Sequence, residues 1–335
     1  MTADANFRYL YISQQGCRLS LRQEFILVHL GESLLQEVPL PLLEQVFIFG
    51  RSQVTTDVVR ECLRRNIPIA YLSRIGYCYG RLVPIERGYR RLAHLQQALP
   101  EEWRLQTAAQ IVRAKLLNSR VLLMRQLRQR PTETGDLTLR SLEHLAARAL
   151  EASSLDELRG IEGMGAALYF PELGNCLQRR GFVLINRTRQ PPTNPVNAML
   201  SFGYMVLWNH LLTLIELQDL DPYQGCLHAS SERHAALVSD LLEEFRAPIV
   251  DSLVLWLVNK GIMVLEEDFE YRDGGCFLND SGRKKYLRAF IQRMEEPVQT
   301  PDGEQPRWDL LTQQVRKFKQ SIYNSQDLYQ PYRIR

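Results

Sequence analysis

The chain has 335 residues, 45% of them apolar and 24% charged, a globular composition that excludes disordered, collagen-like and coiled-coil classes. At about 100–200 residues per domain, that length suits two domains. Lys and Arg number 41 against 38 Asp and Glu, and the resulting +3 argues neither for nor against a nucleic-acid partner.

From Phe7 to about Ile85 the sequence is a series of short β-type runs separated by turn residues: FRYLYI, CRLSL, EFILVHL, LLQEVPL, QVFIFG, IPIAYL and YCYGRLVPI. Their Tyr, Phe, Val and Ile content predicts a compact, sandwich-like β domain over 1–88. Within it, Val58, Val59, Cys62 and Leu63 recur at helical spacing, so 55–65 is expected to be a helix capped by Thr55 or Thr56.

Beyond about Tyr89 the period becomes helical, with helices expected at 101–129, 141–150, 154–179, 195–217, 234–246, 249–260 and 281–294. Asn194-Pro195 and Asp221-Pro222 each place a capping side chain just before a proline, a pairing suited to a helix start. Segment 195–217 is the most apolar, but Asn197, Asn209, His210 and Glu216 interrupt it, so a buried core helix is expected rather than a membrane span. Tyr204 on that helix is expected to pack rather than react. Segment 297–306, with three prolines and a glycine, reads as an exposed loop. The fold class is therefore α+β: a small β domain followed by a larger, all-α domain over 89–335.

The six cysteines are scattered without a C-x-x-C pair, and the start MTADANFRY lacks a basic stretch followed by an apolar run. Free thiols and a cytoplasmic protein are expected.

Charge varies along the chain. Twelve bases face three acids between Arg74 and Arg130, and Arg179, Arg180, Arg187 and Arg189 form a second basic cluster. Segments 132–172 and 216–251 each carry eight acids, against three and two bases. Arginine suits bidentate phosphate contact, so the basic stretches are candidates for a nucleic-acid surface, above all Arg113, Lys115, Arg120, Arg187 and Arg189.

The acidic segments hold candidates for catalysis. Asp240, Glu243 and Glu244 fall at i, i+3 and i+4, where like charges repel unless they reach water or share a cation. His228 lies upstream in GCLHAS, with His234 a weaker candidate, and Glu162 interrupts an otherwise apolar helix in IEGMGAALYF. One histidine among carboxylates is a hard-leaning donor set that suits Mg²⁺ or Mn²⁺ better than structural zinc. The intervals between these residues match no general metal motif.

The order EGMGAALYF, RQPPTNPVNAMLSFGYMVLWN and LDPYQGCLHASSERHAALVSDLLEEFRAPIVDSLVLWLVNKG resembles the CRISPR-associated integrase, the catalytic subunit of the spacer-acquisition complex. LYISQQGCRLSL, EQVFIFG, GRLVP and AAQIVRAKLLNSRVLLMR also occur in the family's order, so the resemblance covers nearly the whole chain. It implies a β-rich dimerisation domain followed by a helical catalytic domain. It implies a Mg²⁺ or Mn²⁺ site formed by Glu162, His228 and Glu243, with Asp240 as a supporting acid, whereas Glu244 is expected to be solvated. It also implies DNA integration by 3′-OH transesterification, endonuclease activity on branched DNA, a homodimer, and a small ferredoxin-like companion subunit. Some relatives are fused to a reverse transcriptase. The rival readings are a stand-alone nuclease for branched DNA and a non-catalytic DNA-binding scaffold.

Overall fold

The computed structural model describes residues 8–84, 91–128, 131–188, 190–229, 234–300, 303–324 and 327–334. The chain divides into two compact units, Met1–Gly88 and Tyr89–Arg335.

The first unit is built on two four-stranded sheets. In chain order its elements are β1 Tyr9–Ile12, β2 Cys17–Arg22, β3 Phe25–Leu30, β4 Ser33–Pro39, β5 Gln45–Phe49, β6 Gln53–Val54, helix α1 Thr56–Arg64, β7 Ile69–Leu72 and β8 Cys78–Leu82. One sheet has the order β1-β5-β7-β8 and the other β4-β3-β2-β6. Leu19, Ile26 and Val38 of one sheet share a single core with Leu10, Val46 and Ile69 of the other, and Val58 and Cys62 of α1 join it. All seven expected strands form. The two-residue β6 is an addition too short to carry a periodic signal, and it pairs with β2 through Arg18 and Leu19. Thr55 is the residue before α1, but its side chain makes no capping bond.

The second unit is mostly helical. It contains α2 Arg91–Gln97, α3 Glu101–Leu127, α4 Glu133–Arg148, α5 Leu155–Asn175, α6 Pro195–Leu217, α7 Ala236–Phe245, α8 Ser252–Asn259, α9 Leu265–Asp268, β9 Phe269–Arg272, β10 Gly275–Leu278, α10 Asp280–Glu295, β11 Pro297–Thr300, β12 Gly303–Pro306 and α11 Arg307–Tyr323. Two antiparallel hairpins, β9 with β10 and β11 with β12, correct the expectation of an all-α domain. The second replaces the loop expected at 297–306.

Asn194 does cap α6, accepting from the backbone N–H of Asn197 at 2.8 Å. Asp221 does not start a helix: its carboxylate accepts from Tyr223 N at 2.9 Å and closes a turn instead. Helix α6 is long and apolar enough to cross a bilayer, but 78% of its most apolar stretch is buried inside the protein, as befits a core helix.

Helix α7 runs into a wide π-helical turn, Arg246–Asp251, before α8. The cause is Pro248, which has no N–H to donate to the Glu244 carbonyl four residues back. Asn118 of α3 fills that role, donating from Nδ2 to Glu244 O at 2.8 Å. The turn is thus stitched to α3 beside the carboxylates of α7.

Candidate active site

Three segments meet around the carboxylates: α3 with Lys115, α5 with Glu162, and α7 with the loop that precedes it. Gly165 sets the first approach. A Cβ there would lie 2.2 Å from Leu116 Cδ2, so α5 lies against α3 because this position carries no side chain. Lys115 Nζ then donates to Glu162 Oε1 at 2.5 Å and pairs with Glu243 Oε2 at 2.7 Å.

Every residue of α7 is buried, so its three acids need internal partners, and they diverge to find them. Asp240 faces the GCLH loop, which can come so close because residue 225 is glycine: a Cβ there would meet Asp240 Oδ2 at 2.9 Å. Oδ2 accepts from Cys226 N at 2.5 Å and Leu227 N at 3.1 Å, while Oδ1 accepts from His228 N at 3.0 Å and lies 2.7 Å from His228 Nδ1. A carboxylate loaded with donors favours the tautomer with hydrogen on Nδ1, which leaves the Nε2 lone pair free. That nitrogen lies 3.9 Å from Glu243 Oε1. Burial works against protonation of His228, but the hydrogen bond and charge of Asp240, with Glu243 behind it, raise its pKa on balance.

Glu243 points into the cations. Its Oε1 lies 2.9 Å from Arg246 Nη2, one helical turn on. Burial alone would push its carboxyl up, but Arg246, Lys115 and His228 override this and hold it well below the usual carboxylate range. Both oxygens are fully buried and, although close to these cations, lack a well-aligned hydrogen bond.

Glu244 overturns the expectation that it is solvated. It is 1% exposed, and it accepts from Tyr329 OH at 2.5 Å, from Gln314 Nε2 at 3.0 Å and from the backbone N–H of Tyr332. Burial pushes its carboxyl up to about 7 against the pull of these donors.

Beside Lys115 and Glu162 opens a cavity of about 190 Å³ that is also lined by Arg159, Tyr169, Tyr204, Arg246 and Asp251. Tyr204 is buried, as expected of a packing residue, yet it also borders this cavity. Its hydroxyl donates to Asp251 Oδ1 at 2.5 Å, Tyr169 OH donates to Oδ2 at 2.7 Å, and the Arg246 guanidinium sits 4.7 Å from the Tyr204 ring centre. Sequence reasoning missed Arg159, Arg246 and Asp251. The two arginines carry a signal, since each lies three residues from an expected ligand on the same chain segment. Asp251 has none.

Glu162, His228, Asp240 and Glu243 are thus brought together. Among the described residues no three carboxylate or imidazole donors already form a finished metal cage; the ammonium of Lys115 lies between the two glutamates. His234 lies nearby with its ring 6.1 Å from that of His228, and its Nε2 is 3.1 Å from Ser239 Oγ.

The residues expected to contact phosphate sit in different surroundings, and the Arg187 guanidinium lies 5.4 Å from the ring of Tyr204 at the cavity. Lys115 belongs to the carboxylate cluster. Arg120 ties α3 to α4 through Glu143 at 3.0 Å, and Arg187 binds Asn197 and Ser201 of α6, each at 2.9 Å. Arg113 is half-buried, and Arg189 lies outside the described residues.

Comparison with known proteins converges on one family. Residues 10–292 match the family described as CRISPR associated protein Cas1. The CRISPR-associated endonuclease Cas1 1 of Thermus thermophilus is 34% identical over 316 residues, covering 93% of this chain and 95% of that protein. A Cas1 protein from Thermotoga maritima has the same fold with TM-score 0.80 and 25% identity, over 94% of this chain and 97% of that one. A casposase bound to integration product reaches TM-score 0.82 at 22% identity over 98% of this chain and 94% of its own, a likeness of fold alone. With a β-sheet unit, a mostly helical unit and a family match running from within β1 to within α10, the chain belongs to the Cas1 family of CRISPR-associated proteins.

Proposed function

We propose that the chain is a divalent-metal-dependent DNA integrase and endonuclease, joining short DNA fragments to a CRISPR array by 3′-OH transesterification. One observation carries this reading: two carboxylates from different helices and an oriented imidazole collect around a point that attracts a cation. The donors fit Mg²⁺ or Mn²⁺. They are oxygen-rich with a single imidazole, and both buried oxygens of Glu243 are short of well-aligned hydrogen bonds. A bound divalent ion would neutralise a non-bridging phosphate oxygen and align the attacking oxygen with phosphorus.

The chain's own residues do the rest. Asp240 fixes the ring of His228 and keeps the hydrogen on Nδ1, so that Nε2 stays a donor of electrons. Arg159 and Arg246 place guanidinium groups at the wall of the adjoining cavity, where a phosphate would enter. Tyr169, Tyr204 and Asp251 of its lining are tied together by their shared hydrogen bonds.

The partners proposed are DNA, a second copy of the chain through the β-sheet unit, and a small ferredoxin-like subunit. Leu34 and Leu35, 46% and 49% exposed on β4 at a sheet edge, support a partner on that unit. The same site acting with water as nucleophile is an endonuclease, the activity named for the Thermus thermophilus relative. To test the site, branched DNA is incubated with the purified chain in Mn²⁺ or EDTA. Cleavage is expected only with metal and is expected to be lost in His228→Ala; metal-independent cleavage would refute the proposal.

A further inference from the structure

Resting on that reading of the site, we propose that Lys115 is an internal counter-cation that the divalent ion must displace: metal binding here is an exchange of one cation for another.

The observation is the position of Nζ. It lies 2.5 Å from Glu162 Oε1 and 2.7 Å from Glu243 Oε2, contacting one oxygen of each proposed carboxylate ligand. The Lys115 side chain is 13% exposed, and those of Glu162 and Glu243 are 19% and 1% exposed, so water screens the cluster only weakly. Among the described residues, Glu243 has a second cation in Arg246, whereas Glu162 forms no ion pair other than that with Lys115. Without the ammonium, two carboxylates would face each other across a poorly solvated gap.

An ammonium and a divalent ion cannot share that gap, because like charges within about 3 Å repel strongly at the low effective dielectric of a protein interior. The dication attracts the same oxygens with twice the charge. A lysine can yield: its charge sits on a flexible four-carbon stem, and the cavity of about 190 Å³ lies directly beside it. Two consequences follow. The carboxylates stay gathered while metal is absent, and the competing ammonium weakens metal affinity below that of the same donors without it. Lys115 is therefore a positioning residue of the site rather than part of an outer phosphate-binding surface.

The wild-type, metal-stripped protein is treated with an amine-acetylating reagent at constant pH, with and without saturating Mn²⁺, and acetylation of Lys115 is followed by peptide mass spectrometry. Exposed Lys284 and Lys317 serve as references. In parallel, Mn²⁺ binding to wild type, Lys115→Met and Glu162→Gln is measured by calorimetry. Mn²⁺ is expected to accelerate Lys115 acetylation on the order of tenfold, and Lys115→Met is expected to bind Mn²⁺ tighter by a similar factor, since competition is reciprocal. Acetylation that ignores Mn²⁺ overturns the exchange, as does a folded Lys115→Met that binds no tighter. If that variant does not fold, the wild-type acetylation result decides alone. Failure of wild type to bind Mn²⁺, or binding undiminished in Glu162→Gln, instead overturns the metal site itself.

Discussion

Asp240 shows how much of this site depends on one side chain that acts through its neighbours. Its carboxylate gathers three backbone N–H groups and the imidazole of His228, fixing both loop and ring. Asp240→Asn keeps the shape but puts an amide N–H where one of those donors must bind. The expected result is a 10- to 100-fold loss of Mn²⁺ affinity or activity, the usual effect of removing a group that orients a ligand, measured by calorimetry on the folded variant. His210 offers a test independent of chemistry. It stacks on Phe290 and packs at a tilt against Trp308, and burial lowers its pKa from 6.5 to about 3. Between those values the unfolded chain binds a proton that the folded chain refuses, so stability falls as pH falls, by about 1.4 kcal/mol per unit. His210→Phe should therefore compare more favourably with wild type at pH 5 than at pH 7 in urea unfolding; an unchanged difference would show that His210 does not titrate on unfolding. At this scale, i+3 spacing made the neighbourhood of Asp240 and Glu243 legible, but Glu244 was misread. Its partners Tyr329 and Tyr332 lie 85 and 88 residues away, beyond any local pattern.

Among the elements, α5 carries glycines of opposite meaning. A Cβ on Gly160 meets nothing within 4 Å, whereas one on Gly165 would run into Leu116 of α3. Gly160→Ala should therefore stabilise the protein by roughly 0.5–1 kcal/mol through helix propensity. Gly165→Val should cost about 1–3 kcal/mol through overpacking and, by pushing α5 off α3, should also weaken Mn²⁺ binding. Thermal unfolding checks both, and equal effects from the two substitutions would remove the special role given to the α3–α5 contact. Helix periodicity located α3, α5 and α10 well because each buries a regular set of apolar side chains, whereas α6 and α7, buried nearly all round, stand out by apolar content and length. The hairpin of β9 and β10 was legible but passed over: Asp273-Gly274 is a two-residue turn with φ of 50° and 72°, the backbone that Asp-Gly favours. The π-helical turn after α7 could be anticipated at Pro248 only as a break. Its form depends on Asn118, which sequence spacing does not bring near.

For the whole molecule, the near-zero net charge conceals how the charges are used. Of the twelve bases between Arg74 and Arg130, Arg104 binds backbone carbonyls of Gln96, Gln97 and Gly225, Arg120 ties two helices, and Lys115 sits among the carboxylates. Charge counting recognised a basic segment but could not separate cations turned inward from those facing solvent, since that depends on the fold. The acids of the two negative segments likewise divide between surface and site. The most direct test of the account is the initial rate of joining of a short duplex with free 3′-OH ends to a repeat-containing plasmid. Wild type and Glu162→Gln are compared with the companion subunit present, across a Mn²⁺ series. The expected result is metal-dependent joining by wild type and a loss of at least about 100-fold in Glu162→Gln, equivalent to ~2.7 kcal/mol of transition-state stabilisation. Joining by Glu162→Gln at the wild-type rate, or by either protein without divalent metal, would contradict it.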